Sequence, residues 1–344
     1  MANGVTVAVV GATGAAGQTT LKILEERKFP VRELRAFASE RSVGKTVMFA
    51  GDAVRVQKVE APAFKGVDIA ICSAGSAQAR EYAPMIAKAG AIVVDKSNGW
   101  RMDPQVPLVV PEVNPHAVRA HHGIIASPNC TTIVAIMPLK PLHDAGRLRR
   151  VVATSYQSVS GAGVQGIAAL REETLAWARG EAVTPKHFAH QIAFNLIPAI
   201  DTFTPDGYSG EERKLINETH KILGDDSIRV SPTCARVPVP VGHSQSINLR
   251  TRDDLSPERC REILAAAPSV TVVDDPADGV YPLAADAAGR DDVLVGRIRR
   301  DPTEERTLNL WVVSDNLRKG AALNAVQLAE LLAQRSLVGT TARA

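Results

Sequence analysis

The sequence lacks the features that mark several large protein classes. Its four cysteines, Cys72, Cys130, Cys234 and Cys260, are scattered along 344 residues. They show no metal-ligand spacing, which argues against a metal centre and fits a reduced, cytoplasmic protein. No apolar run approaches the roughly 20 residues that span a bilayer, so a membrane is not expected as a partner. Lysine and arginine number 40 against 37 aspartates and glutamates, a net charge of +3. With no long basic tract, that balance gives no reason to expect nucleic acid. Met1-Ala2-Asn3-Gly4 runs into a strand with neither a basic n-region nor an apolar h-region, so no targeting peptide is expected. Low-complexity linkers and internal repeats are missing too. What is present is ordinary globular material, 45% hydrophobic and 22% charged, in a chain long enough for two domains.

The first half alternates strands and helices. Val5–Val10 reads as a buried parallel strand, apolar and β-branched. Gly11-Ala12-Thr13-Gly14-Ala15-Ala16-Gly17 follows at once, and Gln18 to Lys28 has a helical pattern. Strand, glycine-rich turn and helix are the setting of a dinucleotide site, where glycines allow a tight turn and close approach to pyrophosphate. The pyrophosphate would rest on the helix N-terminus. A tight strand-to-helix turn without a ligand would use the same residues. After the next strand, around Leu34–Ala38, comes Ser39-Glu40-Arg41-Ser42-Val43-Gly44-Lys45. Arg41, with Ser39, Ser42 and Lys45, suits a 2′-phosphate and favours NADP. Glu40 is an acid near the place where NAD sites hold the ribose diol, and it keeps NAD open. Further strands are expected at 67–72, 91–95, 108–110 and 123–126, with a helix over 77–89. This rhythm predicts a doubly wound parallel sheet, with ligands at the carboxyl ends of its strands. Ser73–Ser76 and Arg101 lie on loops at such ends.

Ser127-Pro128-Asn129-Cys130-Thr131-Thr132 joins a short strand to an apolar helical run. Asn129 is a good N-cap residue, which would put Cys130 in the first turn. There, unpaired N–H groups and the helix dipole favour a thiolate, the form a nucleophile needs. A cysteine that is merely small and buried would fit the same position.

Beyond Cys130 the rhythm changes. Val151–Val159 is a long β-rich run closing in Ser160-Gly161-Ala162-Gly163, and a helix is expected over 164–179 with Arg171, Glu172 and Glu173 on a solvated face. Ser209 and Glu212 have capping-box spacing, which leaves Glu211 free on the same helix face as Lys214. Arg236-Val237-Pro238-Val239-Pro240-Val241-Gly242-His243 carries two prolines, which exclude a central strand unless a bulge intervenes. Period-two counting sets His243 opposite Arg236, and a bulge at Gly242 would turn it back. A histidine titrating near neutrality is the natural acid/base partner for Cys130, although a lone histidine after a strand is often structural. Ser256-Pro257 starts a helix, Leu308–Ser314 is a late strand, and an amphipathic helix is expected from Gly320 to Gln334.

These blocks together resemble the aspartate-β-semialdehyde dehydrogenases. The matching pieces are Gly11–Gly14, Ser127–Thr132, Ser155-Tyr156-Gln157-Ser158-Val159-Ser160-Gly161-Ala162-Gly163, Gly210–Lys214, Arg236–Val239, Gly242–Ser244 and Asp315-Asn316-Leu317-Arg318-Lys319-Gly320-Ala321. The resemblance implies an α/β Rossmann-type NADP-binding domain from 1–129 and 320–344, with an α+β catalytic and dimerisation domain over 130–319. It implies NADPH-dependent reductive dephosphorylation of L-aspartyl 4-phosphate to L-aspartate 4-semialdehyde by a homodimer. That step serves the biosynthesis of lysine and diaminopimelate, threonine, methionine and isoleucine.

By the same resemblance, Cys130 forms the acyl-thioester, His243 is the acid/base residue and Gln157 orients the acyl group. Arg236 grips the substrate α-carboxylate, Glu211 pairs with its α-ammonium, and Arg101 and Lys214 bind phosphate, with Asn129 beside the nucleophile. Gly11, Thr13, Gly14, Ala15, Ala16, Arg41, Ser42, Ser160, Gly161 and Asn316 contact NADP. The chain departs from the family pattern at Asp95-Lys96-Ser97-Asn98-Gly99-Trp100-Arg101, where Lys96 puts an extra cation near the expected anion site. The related N-acetyl-γ-glutamyl-phosphate reductases share the architecture but usually carry Gly-Cys-Tyr; Asn129-Cys130-Thr131 argues against them.

Overall fold

The computed structural model describes residues 4–334; the expectations for residues 1–3 and for 335–344 lie outside them. The chain forms two compact units. One comprises the chain as far as Asn129 together with the segment from Ala321 onward, and the other is Cys130–Gly320.

The first unit is built on strands β1 (Val5–Val10), β2 (Val31–Ala38), β3 (Thr46–Phe49), β4 (Asp52–Lys58), β5 (Ile69–Cys72), β6 (Ile92–Asp95) and β7 (Ile124–Ala126). They lie in the order β3-β4-β2-β1-β5-β6-β7, all parallel except the β3–β4 pair. Helices α1 (Ala15–Glu26) and α2 (Ser76–Lys88) make crossovers, as parallel strands require. β1, β5, β6 and β7 are buried throughout, which explains why they read as continuous apolar runs. Val7, Val9, Ile71, Val94 and Leu24 share one core with Val326, Leu328 and Leu332. The last three belong to the closing helix, Leu323–Gln334, which starts three residues later than expected because a wider turn over Arg318–Ala322 precedes it.

The strand expected at 108–110 does not form. Leu108 makes a single bridge to Ala126, Pro107 and Pro111 bracket the segment, and the Val110 N–H donates to the side chain of Asn114 instead of to a neighbouring strand.

The second unit begins with α3 (Cys130–Gly146), an almost wholly buried helix that continues through Pro138 and Pro141. β8 (Leu148–Gln157), α4 (Val164–Ala178), α5 (Gly210–Leu223), β9 (Arg229–Arg236), β10 (His243–Thr251) and α6 (Pro257–Ala265) follow. β11 (Val270–Val272), α7 (Ala284–Ala287), β12 (Val293–Arg300) and β13 (Thr307–Ser314) complete the unit; the closing helix of the first is therefore α8. The sheet is mixed, in the order β11-β12-β13-β10-β8-β9. Val151, Ala153, Ser155 and Gln157 of β8 are buried while Val152, Thr154 and Tyr156 are half-exposed, the period-two signature of a sheet with one covered face.

Two sequence expectations need correction here. Arg236 and His243 do not share a bulged strand: β9 ends at Arg236, β10 starts at His243, and Gly242 between them takes a φ of +99°. β8 lies between β9 and β10 in the sheet, so the proline-rich segment is a connection, tied by Val159 N–H to Val239 O and Ser160 N–H to Pro240 O. Glu173 is not on a solvated face. It is buried, and its Oε2 accepts the main-chain N–H groups of Ile192 and Ala193 at 2.7 and 2.9 Å. Among the described residues no helix is long and apolar enough to cross a membrane.

Candidate active site

Cys130 is the first residue of α3, where the dipole and unpaired N–H groups favour negative sulfur. Its Sγ lies 3.4 Å from Nε2 of His243. Burial pushes the thiols of Cys234 and Cys260 up to about 12 and that of Cys72 higher still, whereas Cys130 is only partly buried. Its position, at a helix start beside an imidazole, separates it from the other three.

His243 is fully buried. Burial, and then the charge of Arg236, hold it well below the ordinary histidine range. Its Nδ1 faces Ser158, receiving the main-chain N–H at 3.1 Å with the hydroxyl also 3.1 Å away. Arg236 is buried, and its Nη1 donates to the carbonyl of Ser158 at 2.9 Å. Burial lowers the affinity of this guanidinium for its proton, opposed by the negative charge of Cys130 and Glu211. Gly161 separates Arg236 from His243. A Cβ there would stand 2.6 Å from Arg236 Nη1 and 3.3 Å from the imidazole, so only glycine lets both side chains approach.

A second cluster adjoins Thr131. Glu211 Oε1 accepts from Gln157 Nε2 at 3.2 Å and from Thr131 Oγ1 at 3.3 Å, and Oε2 accepts from Lys214 at 3.1 Å. Lys214 also bonds Asp201 at 2.9 Å. Burial alone would lower its pKa, but Glu211 and Asp201 outweigh that and raise it. The capping box forms as expected, with Glu212 closing back on Ser209. Glu211 is nonetheless already partnered, with Lys214 one turn on along α5.

Ser160 and Asn316 belong to the histidine's surroundings. Asn316 Oδ1 accepts from Ser158 Oγ, Ser160 Oγ and Gly242 N–H at 3.0, 3.1 and 3.0 Å. Sequence reasoning missed Ser158, Thr131 and Asp201. The first two lie inside the quoted motifs next to singled-out residues, while Asp201 carries no local signal.

The remaining expected site residues lie in the first unit. Asn129 is buried immediately before Cys130. Arg101 is buried, donating from Nε to Ser127 O at 3.0 Å and from Nη2 to Lys96 O at 2.8 Å. Lys96 turns toward α1, its Nζ 3.5 Å from Ala16 O and 3.4 Å from Thr20 Oγ1. Burial pulls it down to about 8.

The turn before α1 fits a dinucleotide. Gly11 has φ +84°, and a Cβ on Gly17 would lie 2.2 Å from Gly11 O. Gly14 caps α1 without a side-chain hydrogen bond, leaving the first-turn N–H groups for an anion. Thr13 and Gly14 are exposed, with Ala15 and Ala16 half-buried. After β2, Glu40 is ion-paired to Lys58 at 2.8 Å while Arg41 is exposed and Ser42 buried.

Residues 6–121 match the model of the semialdehyde dehydrogenase NAD binding domain, and residues 139–319 that of the semialdehyde dehydrogenase dimerisation domain. The chain is 52% identical to the aspartate-semialdehyde dehydrogenase of Aquifex aeolicus, over 97% of this chain and 100% of that one. It is similar to the crystal structure of aspartate semialdehyde dehydrogenase II from Vibrio cholerae complexed with ASA, at 46% identity and a TM-score of 0.93, covering 96% of this chain and 98% of that one. The Candida albicans enzyme solved with NADP is 26% identical, with a TM-score of 0.77 over 97% of this chain and 100% of that one. Two matched domains in order and near-complete coverage at this identity leave one conclusion: the chain belongs to the semialdehyde dehydrogenase family.

Proposed function

We propose that this chain catalyses the NADPH-dependent reductive dephosphorylation of L-aspartyl 4-phosphate to L-aspartate 4-semialdehyde, as a homodimer, in the biosynthesis of lysine, threonine, methionine and isoleucine. The observation that carries this reading is the 3.4 Å approach of Cys130 Sγ to His243 Nε2 at the start of α3. The relatives' names supply the substrate, and the first unit's glycine turn supplies a place for NADP.

Cys130 sulfur attacks the acyl carbon, the C–O bond to phosphate breaks, and phosphate leaves with the electron pair. Gln157, held by Glu211 and Ser155 at 3.2 Å each, orients the acyl group. His243 Nε2 is the hydrogen-bonding and acid/base partner of the sulfur. Arg236 holds the α-carboxylate through a planar fork, Glu211 the α-ammonium, and Arg101 and Lys214 the phosphate. NADPH, when bound, would supply the hydride to the thioester carbon; the C–S bond then breaks, the aldehyde is released and the Cys130 sulfur returns as thiolate. Gly11, Thr13, Gly14, Ala15 and Ala16 would hold its pyrophosphate and Arg41 and Ser42 its 2′-phosphate, with Ser160, Gly161 and Asn316 as further cofactor contacts.

The test is run in reverse: folded protein with aspartate semialdehyde and NADP should make NADPH only when inorganic phosphate is present. Reduction that ignores phosphate would remove the phosphorylating reaction from the proposal.

A further inference from the structure

We infer that Asp201 is a positioning residue for the phosphate-binding cation: the segment leading into α5 is shaped to hold its carboxylate on Lys214, which fixes the ammonium between two carboxylates. This deepens the dehydrogenase reading and rests on the role given there to Lys214. The deciding contacts are Lys214 Nζ to Asp201 Oδ2 at 2.9 Å and to Glu211 Oε2 at 3.1 Å. An ammonium has three N–H donors, and these contacts leave one for a phosphate oxygen. Glu211 alone would be a poor anchor. It already serves Gln157 and Thr131, and in the proposed reaction the substrate α-ammonium must share it. Asp201 keeps the cation in place while Glu211 turns to the substrate.

The segment is built for this contact. Asp201 has φ +71°, a region that aspartate tolerates better than most residues because its short side chain bonds locally. Here Oδ1 accepts the N–H of Thr202 at 2.9 Å, which leaves Oδ2 for Lys214. Upstream, Ile197 and Arg236 exchange main-chain hydrogen bonds at 3.0 and 2.8 Å. Downstream, the Gly210 N–H donates to Thr202 O at 2.8 Å, and Phe203 bridges to Ser209.

Gly210 is the first residue of α5, a helical position where alanine would ordinarily be the better residue. A Cβ there would lie 2.8 Å from Asp201 Oδ2 and 2.9 Å from its Cγ. The glycine makes room for the carboxylate. The Asp201 side chain is 41% exposed and that of Lys214 18%, so the pair adds little to stability. What it fixes is where a long, flexible cation sits.

Two variants and one spectrum test this. Asp201→Asn tolerates the same φ and keeps an oxygen for the Thr202 N–H, but turns an NH₂ group toward Lys214. In NADP reduction by aspartate semialdehyde, its KM for phosphate should rise about five- to tenfold, the order of a lysine's rotamer freedom partly released. The KM for NADP should not move. If Asp201 merely repelled phosphate, the KM for phosphate would fall; a fall, or no change, overturns the inference. An equal rise in both constants would make Asp201 general scaffolding and overturns it too. Gly210→Ala keeps the charge but pushes the carboxylate off Lys214, and should raise the same KM with no loss of melting temperature. An unchanged KM there removes Gly210 from the device.

The readout without turnover is the Lys214 signal in protein labelled with ¹³C-lysine, identified by its absence from Lys214→Arg. In Asp201→Asn it should titrate at lower pH than in wild type, because burial is then opposed by Glu211 alone. An unchanged titration overturns the inference. If the titration shifts but wild type shows no phosphate-dependent turnover, the dehydrogenase reading fails and the placement of Lys214 by Asp201 stands.

Discussion

Replacing Glu211 with glutamine probes the substrate side of the site. The side chain is 6% exposed, and one oxygen serves Gln157 and Thr131 while the other faces Lys214. Glutamine keeps the volume and the oxygen toward Gln157, but turns an NH₂ group toward the Lys214 ammonium. Lys214 keeps Asp201 at 2.9 Å and is 18% exposed, so the stability loss should be about 1 kcal/mol, well short of the cost of stranding a fully buried charge. The larger effect is on substrate. A hydrogen bond to a charged group contributes about 1.5–3 kcal/mol, which converts to about 10- to 150-fold in kcat/KM for a substrate carrying the α-ammonium. Succinate semialdehyde lacks that group and should be nearly indifferent to the change. The assay is NADP reduction with each aldehyde, and the preference for aspartate semialdehyde should fall by that factor. If both substrates lose activity equally, Glu211 is scaffolding for Gln157 and the ammonium assignment is wrong.

Gly17→Ala would set a Cβ against main-chain atoms, 2.2 Å from Gly11 O and 2.7 Å from Ala12 Cα. It should destabilise by about 1–3 kcal/mol and abolish the melting-temperature rise on adding NADP; an unchanged rise would show that the turn does not hold the cofactor. Glu173→Ala strands two buried amides and should cost about 2 kcal/mol or more, with faster protease cleavage between residues 180 and 200; equal melting curves would refute this. Lys96 binds its proton less tightly folded than unfolded, its value lying at about 8 against about 10.4 for a free lysine. Its unfolded form therefore holds more protons between those values, and wild-type stability gains with rising pH there. Lys96→Met should be the more stable protein at pH 7, by on the order of 1 kcal/mol given partial exposure, and should lose that advantage by about pH 10. An advantage constant across that range would place the effect elsewhere.

What the sequence made legible followed from local rules. β1, the glycine turn, the capping box at Ser209 and the helix start at Cys130 each depend on residues within a few positions, and each stands where its pattern puts it. Non-local geometry was not legible. Leu108–Val110 has strand composition, but only one bridge to β7 forms before the Val110 N–H is taken by the side chain of Asn114. Glu173 lies between charged neighbours, and only the return of residues 192 and 193 buries it. His243 was oriented by counting along one strand, whereas β8 lies between the two strands involved. The substrate itself came from the resemblance, because no spacing names an acyl group.

The central claim is that Cys130 carries the acyl group in a phosphate-dependent aldehyde oxidation. The direct measurement is NADP reduction by aspartate semialdehyde, with and without phosphate, in wild type and Cys130→Ala at matched fold and NADP binding. Wild type should turn over only with phosphate, and the variant should be inactive in both conditions. Turnover by Cys130→Ala at a rate near wild type would contradict the account.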